Sequence, residues 1–283
     1  MAQQYLLASD FDQTLSFNDS GVVLAELIGI TNFHDRVKGL SQINLVQQGA
    51  ELSYLILHDP EFRRVRQAQL VETGKRIRLK HNVQQFAKAL ENLADGYNFS
   101  FYVISAAPQE IIQSALEGIV PPENIFGTRF HYAENGEVAA IIRASAGWGK
   151  ITVLEEIRAT LGISHDHIIY MGDGSSDLPV MMHVNSYDGL TIAVSEAEFI
   201  TRVAKRTVLS DNAMSVLVPV MEDVLRWDSA KIRRTFASHG LMLREWGKSR
   251  TDQLLIQESA QESAEPIPVE TQAVPPPAIA QGA

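Results

Sequence analysis

Cysteine is absent from the 283 residues. Its absence excludes disulfides, thiolate nucleophiles and thiolate metal sites, and it suits a reducing, cytoplasmic setting. A basic excess is lacking too: 24 Lys and Arg stand against 34 Asp and Glu, for a net charge of −10. Such a chain has no general affinity for nucleic acid or anionic lipid, so the expected partner is small or locally gripped. No apolar run approaches the roughly 20 residues that a membrane span needs. Met1-Ala2-Gln3-Gln4 lacks the basic and long apolar regions of a secretory leader. No internal repeat is evident, and oligomeric state is not specified. What remains, 45% hydrophobic and 20% charged, is ordinary globular composition in a chain long enough for one core and a smaller second one.

Short apolar runs read as buried parallel strands at Tyr5 to Ser9, Phe99 to Ile104, His167 to Met171 and Thr191 to Val194. Helical spacing separates them, as in Ile151, Leu154, Ile157 and Leu161, closed by Gly162. The alternation predicts an α/β fold: a three-layer Rossmann-like core with a mainly parallel sheet. In such sheets ligands bind at the carboxyl ends of strands, where Asp10, Ser105 and Asp173 emerge.

Residues 15–80 break the alternation and read as an inserted helical subdomain. Asp19 or Ser20 caps a helix through Leu27, and Asp59-Pro60 begins another toward Gly74. Asn82 starts a helix back on the core, with Val83, Phe86, Leu90 and Leu93 on one face. Asn135-Gly136 marks a small β-hairpin between Thr128–Ala133 and Glu137–Arg143. Helices through Val224 and from Ala230 to Trp246 close the domain. The predicted organisation is therefore a core of 1–14 and 81–258, an insertion of 15–80, and a proline-containing disordered tail of 259–283. Trp148, Trp227 and Trp246 read as packing residues.

Two constellations carry chemistry. Asp10-Phe11-Asp12-Gln13-Thr14 follows an apolar strand, and two carboxylates one residue apart can serve as nucleophile and as general acid/base if their surroundings separate their pKa values. Gly172-Asp173-Gly174-Ser175-Ser176-Asp177 follows another strand; its glycines permit a tight turn and its carboxylates suit a hard, oxygen-seeking cation. No histidine pair flanks a glutamate in a zinc spacing.

In this order the two motifs resemble the haloacid dehalogenase-like superfamily, most closely its phosphoserine-phosphatase-like branch, over about residues 5 to 225. The resemblance implies that 15–80 is a helical cap, Asp10 the nucleophile and a Mg2+ ligand, and Asp12 the general acid/base that also offers its backbone carbonyl to the metal. Asp173 would be a further ligand, and Asp177 would orient the metal shell or the site lysine, with Thr14 and Ser176 in support. Ser105 and the N–H of Ala106 would hold phosphate oxygen, although Ala106 and Ala107 replace the usual glycines. Lys150 is the best placed phosphate-binding cation and Lys205 a rival. Ser176 stands where phosphoserine phosphatases commonly carry asparagine.

The expected activity is hydrolysis of a small phosphomonoester through an aspartyl phosphate. Asp19 stands where that branch carries a residue for the substrate amine, or else it caps a helix. Arg63, Arg64, Arg66, Arg76 and Arg78 offer candidates for a substrate carboxylate, or a solvated face. A dehalogenase does not require Asp12. Transfer of phosphate to another alcohol and a non-catalytic binding role remain as alternatives.

Overall fold

The computed structural model describes residues 2–42 and 49–243. Among these, seven strands form one sheet: β1 (Gln3–Ser9), β2 (Tyr97–Pro108), β3 (Ile125–Tyr132), β4 (Val138–Arg143), β5 (Ile168–Gly172), β6 (Leu190–Ala193) and β7 (Arg206–Thr207). Their spatial order is β4-β3-β2-β1-β5-β6-β7, and every neighbouring pair is parallel except β3 with β4. Helices α1 (Ser20–Ile28), α2 (Phe33–Gln42), α3 (Glu51–His58) and α4 (Gln67–Arg76) lie between β1 and β2. Further along come α5 (Val83–Glu91), α6 (Gln109–Ala115), α7 (Trp148–Leu161), α8 (Leu178–Ser186), α9 (Glu198–Thr201), α10 (Leu217–Pro219) and α11 (Ser229–Ser238). None of the described helices is long and apolar enough to cross a membrane.

Side-chain alternation in β1 explains the layers. Leu7 joins an apolar cluster with Val83, Phe86 and Leu90 of α5 and Ile111 and Ile112 of α6. Leu6 and Ala8 point the other way, into a cluster with Val153, Leu154 and Ile157 of α7 and Val180, Met181 and Val184 of α8. Phe86 and Leu90, both fully buried, each stabilise the fold by about 1.5–3 kcal/mol relative to exposure.

The helical insertion shares the first cluster, through Leu24, Leu55, Phe62 and Leu70. Its helix α4 lies directly on α6. A Cβ on Gly74 would stand 2.3 Å from the Ile111 carbonyl oxygen, so only glycine permits this approach. Ser114 Oγ also donates to the Val71 carbonyl at 2.8 Å. The two ends of the insertion are pinned together: Phe17 N–H donates to Arg78 O and Lys80 N–H to Leu15 O, both at 2.8 Å, around an antiparallel bridge between Ser16 and Leu79.

Several expectations need correction. Asp59-Pro60 starts only a short turn, in which Asp59 Oδ1 accepts from Glu61 and Phe62 N–H, with a 3-10 segment over Phe62–Arg64. Arg66 is extended (φ −119°, ψ 161°), and Gln69 accepts its N–H to begin α4 afresh. The hairpin forms as expected, β3 pairing antiparallel with β4, but β3 starts earlier, at Ile125, and also pairs with β2 inside the main sheet. β2 runs on to Pro108, with irregular pairing to β3 between Ile104 and Pro108. The C-terminal helix ends at Ser238, before Gly240 with φ +74°, and β7 was not anticipated. Trp148 is 72% exposed, so it does not pack. Trp246 and the tail from 259 lie outside the described residues.

Candidate active site

From β1 the chain crosses to β2 on one side and later to β5 on the other, which leaves a crevice at their carboxyl ends. Asp10 follows β1, and its N–H donates to Met171 O at 2.9 Å. Phe11 O then accepts from Thr14, Leu15 and Ser16 N–H at 3.3, 2.9 and 3.2 Å. This tight turn brings Thr14 Oγ1 to Asp173 Oδ1 at 3.1 Å, just beyond β5. Two motifs far apart in sequence thus meet through one hydrogen bond.

Lys150, in the first turn of α7, is fully buried; its Nζ lies 2.8 Å from Asp10 Oδ1 and 2.5 Å from Asp177 Oδ1. Burial opposes its charge, but Asp10 and Asp177 outweigh that and hold its pKa above the usual lysine value. Asp177 Oδ1 also accepts from Tyr170 Oη at 2.6 Å, while Oδ2 accepts from Asp173 and Gly174 N–H at 3.2 and 3.1 Å. Four donors saturate this carboxylate. Gly172 makes room for it, since a Cβ there would fall 2.4 Å from Asp177 Cγ.

Burial raises the pKa of Asp10, and the Asp177 charge adds to it against the opposing Lys150. Asp173 is raised to about 8 by burial and by the charges of Asp10 and Asp177. Asp12 is raised well above the carboxylate range by burial and then by Asp19, although its Oδ1 accepts from Ser20 N–H at 3.0 Å and Ser20 Oγ at 2.6 Å. The two acids of the first motif therefore have different partners: a buried ammonium for Asp10, a helix start for Asp12.

Asp10, Asp173 and Asp177 each bring one oxygen to within 4.8 Å of the others. Three carboxylates around one ammonium leave a deficit of positive charge, and an all-oxygen donor set fits a hard divalent cation. Asp10 Oδ1 is buried and, beyond its charge contact with Lys150, makes no hydrogen bond. Asp10 and Asp173 are the better placed ligands, because the oxygens of Asp177 are already engaged.

Ser105 is buried in β2, and its Oγ accepts from Ala107 N–H at 3.4 Å. Ala106 O accepts from Thr128 Oγ1 at 2.8 Å. Gly49 of the insertion stands over the loops of Ser176 and Ala106: with φ +91°, a Cβ would lie 2.7 Å from Ser176 Cβ and 3.5 Å from Ala106 Cβ. Asp19 is the N-cap of α1, its Oδ1 accepting from Gly21 and Val22 N–H at 2.8 and 3.0 Å.

The other cations fall away from the acids. Lys205 is exposed on the β6–β7 side, Arg66 pairs with Glu137 at 3.0 Å and Arg76 with Glu72 at 3.2 Å. Arg78 stacks over Phe17 at 4.8 Å, and Arg63 and Arg64 are exposed. Sequence reasoning missed Tyr170, and it named Ser20 only as a possible helix cap, not as a partner of Asp12. Tyr170 did leave a signal, because a phenol inside a fully buried strand requires a hydrogen-bond partner.

The family described as haloacid dehalogenase-like hydrolase matches residues 7–182. A phospho-aspartyl intermediate analogue of phosphoserine phosphatase superposes with TM-score 0.61 at 17% identity, covering 76% of this chain and 98% of its own. A substrate-bound phosphoserine phosphatase complex gives TM-score 0.62 at 16% identity, covering 77% and 98%. A haloacid dehalogenase family hydrolase from Salmonella enterica serovar Typhi gives 0.63 at 18% identity, covering 78% and 72%. No curated protein matches in sequence. At such identities the solved structures establish a shared fold, while the family match spans more than half of the 283 residues. The chain belongs to the haloacid dehalogenase-like hydrolase family.

Proposed function

We propose that this protein is a Mg2+-dependent phosphatase of small phosphomonoesters in which Asp10 is transiently phosphorylated. The observation that carries the reading is Lys150 Nζ set 2.8 Å from Asp10 within a buried group of three carboxylates. A nucleophilic carboxylate must approach an anionic phosphoryl group, and a fixed cation at that point reduces their repulsion. Asp10 and Asp173 would hold Mg2+ with the Asp12 carbonyl, and the ion when bound supplies further charge neutralisation.

An Asp10 oxygen attacks phosphorus, the bond from phosphorus to the leaving oxygen breaks, and Asp12 gives that oxygen its proton. The raised pKa of Asp12 suits it to carry a proton where an ordinary carboxylate has lost one. A water then passes a proton to Asp12 as its oxygen attacks phosphorus; the Asp10–phosphorus link opens and phosphate leaves. Ser105, the Ala106 N–H and Lys150 steady the phosphoryl oxygens, while Thr14, Ser176 and Asp177 keep these groups in place. Residues 15–80 act as a cap on a core of 1–14 and 81–258, excluding water during the first step; the approach of Gly49 to Ser176, too close for an added Cβ, supports this. The similar phosphoserine phosphatases make phosphoserine one candidate ester.

The test is a panel of small phosphomonoesters, including phosphoserine and phosphoethanolamine, with phosphate release and covalent phosphate on the protein both measured. Release and labelling should require Mg2+ and vanish in Asp10→Asn. Undiminished release from that variant, or no labelling with any ester, refutes the reading. Transfer to an added alcohol in place of release identifies a phosphotransferase.

A further inference from the structure

Most charged side chains around the crevice already have partners. Lys150 is held by Asp10 and Asp177, Asp12 by Ser20, and Asp19 by the start of α1. Lys80 differs. It is half-buried, and among the described residues its side chain makes neither an ion pair nor a hydrogen bond.

Its position is fixed by the main chain. Lys80 N–H donates to Leu15 O at 2.8 Å, and His81 N–H to Asp211 O at 2.9 Å. Leu15 adjoins Thr14, whose hydroxyl reaches Asp173 at 3.1 Å. Lys80 therefore stands at the loop of Asp10 and Asp12, where the insertion rejoins the core. Asp173 and Asp211 are the charges that act on it, and neither comes within ion-pair distance. Partial withdrawal from water without a counterion is unfavourable for an ammonium, and an anion arriving beside it would remove that cost. Lysine suits the task, as a compact charge on a flexible stem that can follow ligands of different length.

We propose that Lys80 reads a second anionic group on the substrate, so that the preferred class is phosphomonoesters whose alcohol bears a carboxylate or another phosphate. This rests on the phosphatase reading and deepens it. The phosphoryl group to be transferred has Lys150 as its own cation. Asp19 Oδ1 holds the two N–H groups that start α1, so the acid is tied to the helix, whereas the ammonium of Lys80 has no bond among the described residues.

The experiment compares 2-phosphoglycolate with ethyl phosphate, esters of similar size with and without the carboxylate, in wild type, Lys80→Gln and Lys80→Arg with Mg2+. Wild type should favour 2-phosphoglycolate. Lys80→Gln should lose about tenfold or more in kcat/KM on it, chiefly through KM, as expected for one charged hydrogen bond, and should stay within about twofold on ethyl phosphate. Lys80→Arg should restore much of the preference. Equal losses on both esters, a shift only in Mg2+ requirement, or no loss on either overturns the inference. Ethyl phosphate turnover that is abolished by Asp10→Asn shows that the phosphatase reading stands even when the role of Lys80 fails. No turnover and no labelling of Asp10 with either ester removes both.

Discussion

Replacing Lys150 by methionine tests the electrostatic core of the site. Methionine is unbranched and similar in length, so it fills the space without a large cavity while deleting the charge. The lost ammonium is fully buried and lies 2.8 Å from Asp10 and 2.5 Å from Asp177. Asp177 keeps Tyr170 and two N–H donors, whereas Asp10 loses the one cation that touches it. Removing one partner from a buried ion pair costs about 3–5 kcal/mol. That is a large part of the roughly 5–15 kcal/mol that holds a domain folded.

The assay is urea denaturation in chelator, wild type against Lys150→Met, at pH 8 and pH 5. The deficit should be largest at pH 8. At pH 5 it should shrink, because Asp173, raised to about 8, then holds a proton and adds no charge to the group left without its ammonium. Turnover should fall by about 10²–10³, as for loss of one transition-state charge contact. A variant within about 1 kcal/mol of wild type at pH 8, the range of an exposed pair, would refute Lys150 as a buried counter-charge.

Two further outcomes follow from the same geometry. Asp173, raised to about 8, contributes stability that is complete below the ordinary carboxylate range and is lost as pH climbs through the raised value. Metal-free protein should therefore lose Tm across that window and Mg2+ should restore most at its upper end; an equal Mg2+ effect on Tm at pH 5 and pH 8 counts against the cluster as a metal site. Tyr170→Phe removes only the hydroxyl that donates to Asp177 at 2.6 Å, and a hydrogen bond to a charged group corresponds to about 1.5–3 kcal/mol in urea denaturation. Unchanged stability would show that Asp177 does not depend on it.

The acids were legible in the sequence because their geometry is local: a buried strand ends, a short turn follows, and the carboxylates sit within it. Lys150 was legible by its nearness to the start of the helix feeding β5, although it lies in the first turn of that helix and not ahead of it. Tyr170 signalled a need for a partner but not which one, and the place of Lys80 left no signal, for it depends on main-chain pairing between distant segments. Tyr170 meets Asp177 across a turn built around Gly172, and Lys80 reaches the crevice only because its N–H is bonded to Leu15. The reading of a helix from Asp59-Pro60 identified a true start signal but not the restart at Arg66, where Gln69 supplies a second one. The overlong C-terminal helix passed over Gly240, a stop signal present in the chain.

The ribbon between residues 15–17 and 78–80 has one more implication. Arg78 N–H also donates to Asn18 Oδ1, across a sequence separation of 60. Both ends of the insertion are thus fixed side by side on the core, and the packing of α4 on α6 holds it at a second place. A module of another length could enter the same frame only if it kept a face that approaches α6 as closely as Gly74 does, so the frame sets where an insertion begins and ends while α6 sets how it lies.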